Sequence, residues 1–322
     1  MSKKVLVTGA GGFIGGHLTK RLLEEGHEVR ACDRKPYGEW WQLHPDAENR
    51  VDDLKLASQA HAAVRGIEDV YNLAADMGGM GFIESHKADC MLSVLINTHM
   101  LEAARDAGVH RYFFSSSACV YRADKQEDVD VTALVEADAY PAMPEDGYGW
   151  EKLFGERMCR HFREDYGLET RMARFHNVYG PYGEFEGGRE KAPAATCRKV
   201  IEALLSGDHQ IGIWGDGEQT RSFMYVDDCV EGIRKIMDSE ILVPINLGSS
   251  ELVSINELVD MVEGFAGIGL LRKYDLSAPQ GVRGRNSDNT LIQQLLGWEP
   301  DTHLVDGMKV LYDSIYEILS KR

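Results

Sequence analysis

Lys4-Val-Leu-Val-Thr-Gly9-Ala-Gly-Gly12-Phe-Ile-Gly15 is a short apolar, β-branched run that breaks into glycines and then opens a helical pattern. Apolar residues recur at Ile14, Leu18 and Leu22, which predicts a helix over Phe13–Glu25 closed near Gly26. Strand, glycine turn and helix in that order are the context in which such a turn reads as a dinucleotide cradle. The glycines allow a tight turn and close backbone approach, and the helix start offers N–H groups and partial positive charge to a pyrophosphate. Gly9, Gly12, Phe13, Ile14 and Gly15 are therefore the expected cofactor contacts. Asp33 ends the next strand-like run, Glu28–Cys32, where a carboxylate accepts from a ribose 2′-hydroxyl and repels a 2′-phosphate. NAD is expected rather than NADP, although Arg34 beside it is the kind of residue that holds that phosphate. Asp53, Leu54 and the Asn72–Ala75 segment, with Ala74, fall where the adenosine would lie; each also fits a strand end that packs the sheet.

Working outward, Asp69–Leu73, Arg111–Ser115 and Glu169–Arg174 read as strands, with amphipathic helices between them, notably Leu92–Ala107 and Tyr148 to about Tyr166. That alternation predicts an α/β fold, a Rossmann-type doubly wound parallel sheet. Beyond it the pattern loosens: Tyr179–Gly188 is rich in glycine and tyrosine, and Gly207–Thr220 is turn-rich. Ser254-Ile-Asn-Glu257 fits a capping box, and Leu304–Leu319 closes the chain as a helix. We expect an NAD-binding domain over residues 1–178 with returning elements at about 222–250, and a smaller, interleaved C-terminal substrate-binding domain over 179–322.

Composition narrows the partners. The net charge of −17 over 322 residues disfavours nucleic acid, and an anionic substrate would need a local basic pocket against that field. Six scattered cysteines show no Cys-x-x-Cys, so neither a disulfide framework nor a metal site is indicated, and reduced thiols in cytoplasm fit best. The start of the chain carries no signal-peptide pattern, and no apolar run is long enough to suggest a membrane partner.

The chemistry concentrates in two places. Tyr148-Gly-Trp-Glu-Lys152 puts a phenol and an ammonium one turn apart on one helical face. With Ser117 upstream, that is a set for moving a proton and a hydride at a carbinol carbon. A phenol with an ordinary pKa of about 10 is a poor base near neutrality; an ammonium and a positively charged nicotinamide would have to lower it. Cys119, two residues after Ser117, is surplus to hydride transfer. A strand-end cysteine is ordinarily a small buried hydrophobe; here the alternative is a second chemical step.

The glycine turn, Ser117, Tyr148 and Lys152 resemble the extended short-chain dehydrogenase/reductases. Within them, blocks spread over nearly the whole chain are similar to the GDP-mannose 3,5-epimerase family: Asn72-Leu-Ala-Ala-Asp-Met-Gly-Gly-Met-Gly81, Ser117-Ala-Cys119, Arg174-Phe-His-Asn-Val-Tyr-Gly-Pro181, Gly187-Gly-Arg-Glu-Lys-Ala-Pro-Ala194, Gly215-Asp-Gly-Glu-Gln-Thr-Arg-Ser222 and Gly281-Val-Arg-Gly-Arg-Asn-Ser-Asp288. The resemblance implies an isomerase with tightly held NAD that converts GDP-D-mannose to GDP-L-galactose and can release GDP-L-gulose. It makes Ser117, Tyr148 and Lys152 the redox set, and Cys119 and Lys191 the acid/base pair. The chemistry agrees with this: a C4 ketone acidifies the C–H bonds at C3 and C5, and each inversion needs a base on one ring face and an acid on the other.

Arg283 and Arg285, set among glycines, suit a diphosphate. Asn177, Glu190, Lys199, Gln219 and Arg221 are further substrate candidates, and Met77-Gly78-Gly79 could line the sugar. Arg122, where proline is expected in plant members, and Trp150, in place of a smaller aliphatic residue, depart from the family pattern without removing a chemical group. The superfamily suggests a homodimer. Two other readings stay open: another nucleotide-sugar 4-epimerase or dehydratase on the same scaffold, and a non-catalytic dinucleotide sensor. A dehydratase wants an Asp-Glu pair where Ala118-Cys119 stands, a 4-epimerase needs neither Cys119 nor Lys191, and a sensor needs no Tyr148/Lys152 pair.

Overall fold

The computed structural model describes residues 2–322. The chain runs β1 (Lys4–Thr8), α1 (Phe13–Glu24), β2 (Glu28–Asp33), β3 (Glu48–Val51), α2 (Ala57–Ala63), β4 (Asp69–Asn72), α3 (Met80–Ser85), α4 (Lys87–Met91), α5 (Val94–Ala107), β5 (Arg111–Ser117), α6 (Tyr148–Tyr166), β6 (Glu169–Phe175) and β7 (Val178–Tyr179). It continues as α7 (Ala192–Ser206), β8 (Gln210–Trp214), β9 (Thr220–Ser222), β10 (Met224–Tyr225), α8 (Val226–Asp238), β11 (Ile245–Leu247), β12 (Leu252–Ser254), α9 (Ile255–Ala266), β13 (Leu271–Asp275), β14 (Gly284–Arg285), α10 (Thr290–Leu296) and α11 (Leu304–Leu319).

Seven strands pair in parallel in the order β11-β6-β5-β4-β1-β2-β3. The winding reverses between β1 and β4, the switch point where an open sheet leaves a crevice past its strand C-termini. Successive β1 side chains point to opposite faces, so both faces are buried. Val5 and Val7 pack with Leu18 and Leu22 of α1 and Ile233 of α8. Leu6 packs on the other side with Met100 and Leu101 of α5 and Cys159 of α6. A third core joins α7, α9 and α11 through Val200, Ile201, Val259, Val262, Met308 and Leu311. The capping box forms: Ser254 Oγ accepts from Glu257 N at 3.1 Å, and Ser254 N donates to the Glu257 carboxylate at 2.8 Å.

The expected strands and helices are present with shifts of a few residues. Strand β5 runs on to Ser117, which carries Ser117 to the crevice. The turn-rich stretch 207–220 holds a strand, β8, that pairs in parallel with β13. Its alternating exposed and buried pattern (Gln210, Gly212 and Trp214 outward, Ile211 and Ile213 inward) was masked by the glycines around it. Among the described residues no helix is long and apolar enough to cross a membrane.

Candidate active site

A single crevice of about 1320 Å³ runs from the glycine turn, past the C-terminal ends of β4 and β5, to the α7 side of the third core. Its dinucleotide end is built by sequence rules. A Cβ on Gly15 would overlap the Gly9 carbonyl oxygen, so only glycine lets α1 start this close to β1. No side chain caps α1 at Gly12, leaving the first N–H groups to face a ligand. Asp33 lines the crevice, its carboxylate accepting from Gly11 N and Lys35 N at 3.0 Å each. Arg34 is committed to Asp76, Nη2 to Oδ2 at 3.0 Å, so the cation that would favour a 2′-phosphate is already paired. Asp53, Leu54 and Ala74 also line this end. Asn72 does not; it is buried in a network with Thr8 Oγ1 (2.7 Å) and Tyr112 Oη (2.7 Å). A glycine cradle, a capless helix start and a strand-end carboxylate fit NAD.

The centre assembles around Cys119. Strand β5 ends at Ser117, whose Oγ accepts from Cys119 N at 3.2 Å and turns the chain through Ala118–Val120. Gly149 is required here, because a Cβ on it would overlap the Cys119 carbonyl oxygen; its absence lets the first turn of α6 sit against the Cys119 backbone. Tyr148 and Lys152 share the buried face of α6, with the Lys152 ammonium 5.5 Å from the Tyr148 ring centre and 4.8 Å above Phe114. Burial, then Cys119 and Glu151 nearby, push the Tyr148 phenol well above its ordinary value against the Ser117 hydrogen bond. Burial outweighs the Ser117 hydrogen bond, so the lowered phenol pKa expected from the sequence requires a bound positive charge. Burial and Glu145 likewise push the Cys119 thiol up to about 12, opposed by Arg285, whose Nη1 stands 3.6 Å from Sγ.

Lys191 precedes α7 and lines the same crevice; burial lowers its ammonium, and Cys119 is the first charge partner opposing that fall. Met77, Gly78, Gly79, Asn177, Glu190, Lys199, Gln219, Arg221 and Arg285, the expected substrate contacts, all line the crevice. Burial beside Arg285 lowers the Arg221 guanidinium to about 9, still charged at neutrality. Lys199, also lowered by burial, donates to Gly212 O at 2.7 Å. These desolvated cations form the basic pocket that an anionic substrate needs within an acidic chain. Arg283 is not brought in: it turns away to Asp216 at 2.9 Å and does not line the crevice. Trp150 lies between Tyr148 and Lys152 on the outer side of α6 and is 45% exposed, and Arg122 pairs with Asp124 at 3.0 Å, so neither departure from the family pattern touches the site. Sequence reasoning missed Glu145, which joins Cys119 and Arg285, and the Asp76–Arg189 pair at 3.1 Å. Asp76 and Arg189 both stood inside quoted blocks, but no spacing rule joins them.

A dinucleotide crevice at the switch point, lined by Ser117, Tyr148 and Lys152, defines a Rossmann-type, NAD-dependent α/β enzyme. The chain belongs to the NAD dependent epimerase/dehydratase family, whose model matches residues 5–248. It is 46% identical over 319 residues to the GDP-mannose 3,5-epimerase of Arabidopsis thaliana, spanning 99% of this chain and 83% of that protein. Among solved structures it is similar to the UDP-glucose 4-epimerase of Thermotoga maritima with UDP-glucose (TM-score 0.87, 26% identity, 98% and 99% of the two chains). It also matches UDP-glucuronic acid 4-epimerase from Bacillus cereus in complex with UDP-glucuronic acid and NAD (TM-score 0.83, 25% identity, 98% and 99%).

Proposed function

We propose that the protein converts GDP-D-mannose to GDP-L-galactose, with GDP-L-gulose as the product of inversion at C5 alone. The observation that carries this reading is that Cys119 and Lys191 line one crevice that also holds Tyr148, Lys152 and Ser117. In this reading Gly9, Gly12, Phe13, Ile14, Gly15, Asp33, Asp53, Leu54 and Ala74 hold NAD, with Tyr148 and Lys152 at its reactive end. When bound, NAD accepts the hydride from C4 of the sugar and later returns it. Tyr148 takes the proton of the C4 hydroxyl, Ser117 donates to that oxygen, and Lys152 lends positive charge to the phenolate. Arg221 and Arg285, with Lys199, hold the diphosphate, while Met77–Gly79, Asn177, Glu190 and Gln219 enclose the sugar. H3 and H5 of a manno-pyranose ring lie on the same face, so one base, Cys119, serves both carbons and Lys191 protonates both from the other face. Cys119 acts as the thiolate and Lys191 as the ammonium; the resulting thiol loses its proton to water in the crevice and the resulting amine regains one from it.

Incubation of the purified protein with GDP-mannose in heavy water tests this. Solvent deuterium at C3 and C5 of the product is expected; turnover with neither carbon labelled would sink the reading.

The protein acts as a homodimer in the same reading. Leu95 of α5, Trp150 and Phe154 (50% exposed) of α6, and Leu92 (47%) just before α5 leave apolar side chains exposed on the packed pair α5 and α6, of the kind that marks a protein interface. Light scattering should give twice the chain mass, and W150E/F154E should give a monomer; an unchanged mass in that variant would place the interface elsewhere. Six buried, unpaired cysteines favour a reducing, cytoplasmic setting.

A further inference from the structure

The segment that delivers Lys191 has almost no regular structure. Gly187 and Gly188 take left-handed φ values of 88° and 87°, and α7 begins only after Lys191. Proton delivery to one face of a ring nevertheless requires the ammonium to be held closely; a 1 Å misplacement costs on the order of a hundredfold. What fixes the segment is Arg189. Its Nη1 donates to Asp76 Oδ1 at 3.1 Å and to the Met77 carbonyl at 3.0 Å. Its guanidinium lies 3.7 Å above the Phe82 ring, and its own carbonyl accepts from Gly79 N at 3.0 Å. Asp76 is the anchor of this clamp. It is 8% exposed, its N–H donates to Ser93 Oγ at 2.9 Å, and its second carboxylate oxygen holds Arg34 at 3.0 Å. Burial works to raise the Asp76 carboxyl, and the two guanidiniums outweigh it and hold it below the usual range, so the pair is ionic at working pH.

We propose that Asp76 is a positioning residue for Lys191: by holding Arg189 it fixes the irregular segment whose last residue carries the ammonium. The assignment rests on the epimerase reading above, since it needs Lys191 to protonate the ring from the face opposite Cys119. Asp76 need not touch the reacting atoms; it acts two residues upstream of Lys191 and through a different element. Through Arg34, which follows Asp33, the same carboxylate also ties the adenosine end of the crevice to its acid.

The chemistry separates this role from simple destabilisation. With Lys191 misplaced, Cys119 still removes a proton from the C4 ketone, and the thiol, after exchange with water, hands a proton back to the same face. The configuration is then retained and only the label changes. In heavy water, with NAD-loaded enzyme and GDP-mannose, D76N should form inverted sugar about a hundredfold more slowly, while recovered GDP-mannose still gains deuterium at C3 and C5. R189A should behave alike, and D76N/R189A should be no worse than the weaker single variant, because the two residues act as one unit. R189K, which keeps a cation within reach of Asp76, should recover part of the inversion. Should D76N fail to fold, R189A and R189K carry the test. Exchange and inversion falling together in these variants, or neither falling, overturns the proposal. If the wild-type protein turns over without labelling either carbon, the epimerase reading itself has failed and takes this assignment with it.

Discussion

Replacing Cys119 by alanine should lower formation of inverted sugar by about 10²–10⁴-fold, the range a positioned general base supplies, while the protein still binds NAD and still oxidises C4. The separation follows from where the groups sit. Tyr148, Lys152 and Ser117 reach the crevice from α6 and the end of β5, elements whose backbone hydrogen bonds do not involve the sulfur. The backbone that shapes the turn, including Glu145 N donating to the Cys119 carbonyl at 2.9 Å, is unchanged by the substitution. Adding GDP-mannose to the NAD-loaded variant should therefore still produce the absorbance of reduced nicotinamide, without deuterium at C3 or C5. Serine is not expected to rescue it, because a hydroxyl is a far weaker acid than a thiol and the buried, Glu145-flanked position already pushes the thiol up to about 12. Wild-type labelling in either variant would return Cys119 to the part of a small packed side chain.

Most of the scaffold was legible because its rules are local. A β-branched run, a glycine turn and a helical repeat of Ile14, Leu18 and Leu22 sit within some twenty residues, and the Tyr148–Lys152 pair needs only one helical turn. The short strands β3 and β13 were not legible. Glu48-Asn-Arg-Val51 carries little apolar signal, and Leu271-Arg-Lys-Tyr-Asp275 is largely exposed, so what makes each a strand is the neighbour it pairs with. The site divides the same way. Cys119 and Lys191 each belong to a local motif, but their meeting in one crevice depends on long-range contacts that seat the segment before α7, Gly79 N donating to the Arg189 carbonyl at 3.0 Å among them. Arg283 and Arg285 looked equivalent on paper and part company in space: Asp216 captures the first, whereas Gln126 Oε1, accepting from Nε at 2.6 Å, turns the second toward Cys119. The Asp76–Arg189 bond spans 113 positions, which no periodicity reports.

Tyr148→Phe should be the more complete loss, because it acts one step earlier. Without the phenol no group of this chain stands ready to take the C4 hydroxyl proton, so the ketone does not form and the C3 and C5 hydrogens are never acidified. Oxidation, exchange and inversion should all fall together by about 10²–10⁴-fold, in contrast to Cys119→Ala, where oxidation survives. The pH dependence identifies the group. Burial holds the Tyr148 phenol above its ordinary value in the free protein, so it starts protonated and only its phenolate accepts a proton. The single-turnover rate of C4 oxidation should therefore climb with pH from neutrality upward in the wild-type protein, and bound positive charge should move that climb lower. Lys152→Met should shift the climb to higher pH, since the ammonium 5.5 Å from the ring favours the phenolate. The residual rate of Tyr148→Phe should show no such climb. Oxidation at the wild-type rate in that variant, or a flat profile in the wild-type protein, would assign the proton to another group and leave Tyr148 a packed side chain of the α6 face.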